Sequence, residues 1–354
     1  MTIYFPILKN SSSEMSALEN LKDETKQKVI PIIESKVINP KKVDEWWSTF
    51  KTLGSYFQKK INDMKFIYDF NSAFDKLGEA LESLKSPHNK NLIEHCIEKL
   101  NEKNLNFIPC IHFDSPEWII SSVFKFRPTE IAVRVRCHDF NSAMEDLVIE
   151  RIQDKIFSQN LKTNIYIILD FSNSPINEVR IKKSIHNFTK LEPQKLILAL
   201  TNCPEDASGI NPVSFTAADQ RLDYKTFQSL KKEHPKLLFG DYTVRLKGEP
   251  DNNPNINYYN TYLKIFYSTE DDYMIGKSSL LESDGIDTFI SVCQEIIESD
   301  IFTKDLSFAD KKIEECANKR FTINNHSKPI ELGINHHIEL TVKQLTGSPV
   351  LSGL

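Results

Sequence analysis

Eight short apolar runs, each rich in β-branched residues and each followed by a longer amphipathic stretch, constrain this chain more than any other feature. The runs lie at 3–8, 29–33, 65–69, 106–112, 130–136, 164–170, 195–201 and 237–242. Near-continuous apolar strands of this kind belong to parallel sheets whose faces are covered by helices. Helical patterns fill the gaps, at about 13–27, 41–61, 74–103, 115–125, 142–159, 175–191 and 222–234. Eight βα units wound by right-handed crossovers close a sheet on itself and leave no edge, so the expected fold is a (β/α)8, TIM-like barrel. A doubly wound open sheet is the alternative. Nucleotide-binding sheets of that type carry a glycine-rich turn after the first strand, whereas ILKNSSSE has no glycine and neither GxGxxG nor GxxxxGK[ST] occurs in the chain.

The pattern changes after Tyr242. Residues 246–257 (LKGEPDNNPNIN) are polar and rich in Asn and Pro, and YLKIFYSTEDDYMIGK then alternates about an acidic turn, which reads as an antiparallel hairpin. We expect one barrel domain over 1–354, with 246–280 as an insertion and hairpin in the last βα connection. Helices are expected at 285–299, 306–319 and 334–346, the last two within a C-terminal helical extension over 306–354. The run 262–267 competes with 237–242 for the place of the eighth strand.

With 354 residues, and 44 basic against 49 acidic side chains, the chain has a net charge of −5, which lacks the whole-chain basic footprint of a constitutive duplex-DNA binder. Its six cysteines are dispersed, without CxxC or zinc-finger spacing, and are expected to be reduced thiols. No apolar run reaches the ~18 residues of a membrane span, and the N-terminus lacks the features of a secretory signal. A cytoplasmic protein is the expectation, with no membrane partner.

In barrels of this type chemistry gathers at the C-terminal ends of the strands. Those ends carry Lys9, Glu34, Asp69, His112, Arg134, Arg136, Asp170 and Asp241. Two uses compete for them. In one, Glu34, Asp69, Asp170 and Asp241 hold Mg²⁺ or Mn²⁺ through oxygen ligands, His112 is a further ligand or general acid/base, and the arginines hold phosphate. In the other, acids and bases neutralise one another as a buried salt-bridge network. For the pair Arg134 and Arg136, bidentate phosphate capture competes with one arginine turning inward to pair with Asp170 or Asp69. Arg221, between Asp219 and Asp223, reads as an ordinary surface pair, and of His336 and His337 one is expected packed and one exposed.

YFPILK, VIPIIES, FIYDF, IAVRVRCHDF, IYIILDFSN, DQRLDY, FGDYT and INHHIELTVKQL together resemble the phage "beta protein" family across essentially the whole chain. Lys9, Glu34, Asp69, Arg134, Arg136, Asp170, Gly240 and Asp241 match its pattern, as do Arg221 and His337. The resemblance implies a role in phage–host conflict, in some cases beside a small nuclease. The expected function is therefore a phage-defence component that binds or processes a phosphate-bearing ligand, nucleic acid or nucleotide, at the barrel mouth. Catalysis would fall to Glu34, Asp69, His112, Asp170 and Asp241, and ligand binding to Lys9, Arg134, Arg136 and Arg221. The competing expectation is a non-catalytic scaffold that senses a phage component or holds a partner effector.

Overall fold

The computed structural model describes residues 2–62, 64–74, 82–159, 162–244 and 261–347. Strands β1 (Tyr4–Lys9), β2 (Ile32–Glu34), β3 (Phe66–Asp69), β4 (Phe107–His112), β5 (Glu130–Arg136), β6 (Asn164–Asp170) and β7 (Lys195–Ala199) pair in parallel in that order. Strand β8 (Ser214–Gln220) leaves the barrel, and β9 (Leu238–Asp241) pairs with both β7 and β1 to close it. The expected (β/α)8 barrel is thus present, with 237–242 rather than 262–267 as its eighth strand.

Side chains alternate across each strand. Phe5, Ile7, Ile32, Ile67, Ile108, Cys110, Ala132, Ile168, Ile197 and Ala199 fill the barrel's interior, with Leu238 and Tyr242 from the last strand. Tyr4, Leu8, Ile33, Tyr68, Val133, Val135, Leu169 and Phe239 face outward into a separate core beneath the helices. Carried one step further along each strand, the interior parity puts Lys9, Glu34, Asp69, His112, Arg134, Arg136 and Asp170 inside the mouth. At the seam, a Cβ on Gly240 would lie 2.7 Å from the backbone oxygen of Phe5, so only glycine lets β9 approach β1 there.

The late hairpin exists as β10 (Tyr262–Ser268) and β11 (Asp272–Leu280), but it does not stand alone. β8 adds to β11 antiparallel, giving a three-stranded sheet of order β10-β11-β8 built from two separate βα connections. The polar stretch 246–257 lies outside the described residues. Helices Ile290–Glu298 and Phe308–Ala317 pack on this sheet around Leu263, Ile265, Phe289, Val292 and Ile313. The last helix, Ser327–Leu345, begins well before the expected residue 334 and wedges between sheet and barrel. Its residues 331–342 are all buried, including both His336 and His337, so the expectation of one exposed histidine is wrong. A helix packed on two sides has no solvent face to offer.

All six cysteines are buried and free, as expected. Trp46 is buried and Trp47 half-buried on the short helix Trp46–Thr49. Among the described residues no helix is long and apolar enough to cross a membrane.

Candidate functional site at the barrel mouth

Arg134 organises the mouth. It rises from the centre of the sheet on β5 and is 4% exposed. Its Nη1 donates to Glu34 Oε1 at 2.9 Å and to Asp69 Oδ2 at 2.7 Å, drawing in the ends of β2 and β3. On the other side Nε donates to Asp170 Oδ2 at 2.9 Å, and Nη2 donates to the Tyr242 hydroxyl at 2.7 Å. Tyr242 in turn donates to Asp170. Every nitrogen of the guanidinium is engaged. Burial opposes its charge, but Tyr242 and the three carboxylates outweigh burial and hold it more firmly protonated than usual. Of the two readings for Arg134 and Arg136, Arg134 is the one that turns inward.

His112 extends the network. Its Nε2 lies 2.9 and 3.1 Å from the two oxygens of Asp69. Asp69 also accepts from the backbone N–H of Asn71 at 3.0 Å. Burial alone would raise the Asp69 carboxyl, yet His112 and then Arg134 outweigh it and hold it well below the usual carboxylate range. The other ring nitrogen of His112, Nδ1, is buried and has no hydrogen-bond partner among the described residues.

Above this floor opens a cavity of about 210 Å³, rimmed by Lys9, Arg136, His138, Asn71 and Ser72. Lys9 Nζ is 3.6 Å from Glu34, and Arg136 stands near the exposed acids Asp114 and Asp139. Histidines apart, the lining sets Glu34, Asp69 and Asp170 against Lys9, Arg134 and Arg136, so its formal charges cancel. The cations of the rim, unlike Arg134, are partly open to solvent.

Two expected site residues are elsewhere. Asp241 sits one position out of phase with Gly240 and Tyr242, so its side chain leaves the barrel. It accepts from the Tyr4 hydroxyl and lies 2.9 Å from His337 Nε2, while His337 Nδ1 is 2.6 Å from Ser268 Oγ. Arg221 is fully buried rather than a surface pair, donating to the Thr269 carbonyl, Gln344 and Thr341, with its guanidinium over Tyr224 and Tyr273. Both belong to a polar core that fastens the last helix to the barrel, and neither reaches the mouth.

The acids therefore do not assemble as the expected four-carboxylate cation site. Three converge on the guanidinium of Arg134, and the fourth faces away. Among the described residues no group of three or more His, Cys, Asp or Glu side chains is arranged to hold a metal. Tyr242, which sequence reasoning passed over, completes the floor. The signal for it was its parity with Leu238 and Gly240 on an inward-facing stripe.

Fold and mouth together define a helix-covered parallel barrel whose strand ends carry one buried arginine shared among three carboxylates. The chain belongs to the Beta protein family, whose model matches residues 4–343. No curated protein matches it. Among solved structures it is similar to a β-mannanase from Streptomyces thermolilacinus with mannohexaose, at 11% identity and a TM-score of 0.42, covering 71% of this chain and 80% of that one. It is also similar to the YdjI aldolase from Escherichia coli K12, at 12% identity and a TM-score of 0.36, covering 99% of this chain and 93% of that one. Neither likeness bears on what this chain does.

Proposed function

We propose that the barrel mouth binds a small phosphate-bearing ligand, a nucleotide or the end of a nucleic-acid strand, as part of a phage-defence system. The supporting observation is the division of labour among its charges. The guanidinium of Arg134 is saturated by the three carboxylates of the floor, while Lys9 and Arg136, which bring the lining to formal neutrality, are partly open at the rim and with His138 are the groups that can meet an incoming anion. The contacts of Arg136 with Asp114 and Asp139 are partly exposed pairs worth ~0–1 kcal/mol, which a bidentate phosphate can displace. The reading needs no four-carboxylate cation site. The context of phage–host conflict, with a nuclease from the same operon as a protein partner, rests on the family resemblance.

Calorimetric titration with AMP and with inorganic phosphate tests the binding. Saturable binding by the wild type that weakens about tenfold or more in a Lys9→Ala/Arg136→Ala double variant is expected. A wild type that binds neither probe would overturn the reading.

A second reading, a scaffold for a partner effector, is favoured by one separate observation. Met144, Leu147 and Val179 are exposed at 47%, 62% and 81% at or near the starts of two consecutive barrel helices. A Leu147→Glu/Val179→Glu variant that loses a co-expressed nuclease on gel filtration while still binding AMP would select it.

A further inference from the structure

We propose that the phosphate taken by this mouth is carried on a ribose whose vicinal hydroxyls are free, so that the ligand is a free ribonucleotide, and that Glu34, Asn71 and Ser72 hold those hydroxyls. The inference rests on the reading that the mouth binds a phosphate-bearing ligand, and deepens it by asking what the phosphate is attached to.

The strand order decides where the rest of the ligand can lie. In the closed sheet β1-β2-β3-β4-β5-β6-β7-β9, β1 and β5 are four strands apart in either direction. Lys9 and Arg136, which both line the cavity, therefore rise from opposite sides of the opening. A phosphate that meets both spans the middle and leaves two arcs of wall. On the arc through β6 and β9 the lining groups are already consumed. Asp170 accepts from Arg134, from Tyr242 and from the backbone N–H of Ser172, and the Tyr242 hydroxyl lies between that carboxylate and Arg134. The arc through β2 and β3 is the reverse. Glu34 meets Arg134 through Oε1, and Lys9 Nζ stands off its Oε2 at 3.6 Å, beyond hydrogen-bond distance. Just past β3, Asn71 uses its backbone N–H on Asp69, but its side-chain amide and the Ser72 hydroxyl have no hydrogen-bond partner among the described residues. Glu34, Asn71 and Ser72 all line the cavity and all are partly open to solvent.

The chemistry of that arc selects what it can hold. A second anionic group is unsuited, because Glu34 would repel it. A neutral group that donates is suited, because a carboxylate accepts hydrogen bonds and donates none. A hydroxyl is such a group, and Asn71 and Ser72 offer donors and acceptors for a second hydroxyl beside it. A carboxylate that receives a ribose hydroxyl is a recurrent solution to nucleotide recognition on other folds. Size sets the limit. The cavity of about 210 Å³ is smaller than the ~300–1,000 Å³ that encloses a whole drug-sized ligand, so it takes the sugar phosphate and leaves the base outside. Within a strand the 3′ oxygen is esterified and one of the two donors is lost, which is why the ligand is a free nucleotide.

Calorimetric titration of the full chain with AMP, dAMP, ribose 5-phosphate and inorganic phosphate tests the proposal. Loss of one hydroxyl that donates to a carboxylate should weaken dAMP about tenfold against AMP. Ribose 5-phosphate, which keeps the phosphate and the hydroxyls without a base, should bind within a few-fold of AMP. In Asn71→Ala/Ser72→Ala, and separately in Glu34→Gln, the preference for AMP over dAMP should shrink toward none. The double variant removes no partner of Arg134, so it remains informative if Glu34→Gln fails to fold. If AMP and dAMP bind equally to the wild type, if ribose 5-phosphate fails where AMP binds, or if the preference survives in both variants, the ribose assignment falls and the phosphate-binding reading stands. If neither AMP nor inorganic phosphate binds, both fall.

Discussion

Glu34 and Asp69, neighbours in register on β2 and β3, accept hydrogen bonds from the same nitrogen of Arg134, at 2.9 and 2.7 Å. Without that guanidinium two carboxylates would face each other at the top of a closed barrel, with Asp170 beside them. Arg134→Ala is therefore expected to cost ~3–5 kcal/mol, the penalty of leaving buried charge unpaired. Arg134→Lys should recover little of it, because a single ammonium cannot span the same four partners. Arg136→Ala, at the open rim, should stay within ~0.5–1 kcal/mol of the wild type. Urea denaturation of the three variants measures the difference, and equal losses for Arg134→Ala and Arg136→Ala would refute the assignment.

The same geometry predicts indifference to divalent cations. A true site would raise stability by RT ln(1 + [L]/Kd), about 2.7 kcal/mol at a hundredfold excess over Kd. With Arg134 among the three carboxylates, melting curves in EDTA and in millimolar Mn²⁺ should superimpose. A clear upward shift in Mn²⁺ that disappears in Asp170→Asn would show that a cation displaces the guanidinium.

Acid should weaken the fold in two stages. Burial pulls His337 below its ordinary value of 6.5, and Asp241 only partly offsets this. The unfolded chain thus takes up a proton near pH 6.5 that the folded chain resists, so stability is full above that pH and falls on acidification. His95 and His326 are lowered by burial as well and add to the same limb. Asp69, held low, adds a second loss beginning near the unfolded carboxylate value of about 3.9. Urea midpoints measured from pH 8 down to about pH 2 should fall below pH ~6.5 and again below pH ~4, and His337→Gln should flatten the upper stage. A midpoint that rises between pH 7 and pH 5 would contradict the sign.

Gly240→Ala tests the seam. Its new methyl group would meet the Phe5 carbonyl oxygen at 2.7 Å, and that atom is backbone of the adjoining strand rather than the end of a flexible side chain. A loss of ~1–3 kcal/mol is expected in thermal melts.

Much of this was legible in the residues themselves. Strands β5 and β6 fall at 130–136 and 164–170 as read, because IAVRV and IYIIL are buried on both faces and need no partner to be recognised. β8 was missed for the converse reason. SFTAADQ has weak strand formers and residues 216–220 all exposed, so neither apolar alternation nor a continuous run marks it. Asp241 was misassigned by looking only at strand ends, since a side chain's face is set by parity, and one residue decides between mouth and outer core. Arg221 was read from Asp219 and Asp223 beside it, whereas the partners that bury it include Thr341 and Gln344, distant in sequence. Local charge patterns carry no information about such contacts.

The last helix reaches back to the beginning of the chain. Asn335 donates to the carbonyl of Ala17, Glu339 accepts from Lys22 and Thr25, and His337 meets the carboxylate that holds Tyr4 of β1. The first strand of the barrel therefore depends on a helix more than three hundred residues further along the chain. Until residues 238–241 emerge, β1 lacks its closing neighbour β9, and until residues near 337 follow, the junction of the two strands lacks the helix that covers it. The covering of the seam thus comes later in synthesis than the strands it covers, and an uncovered seam is the state most exposed to chaperones, proteases and other copies of the chain.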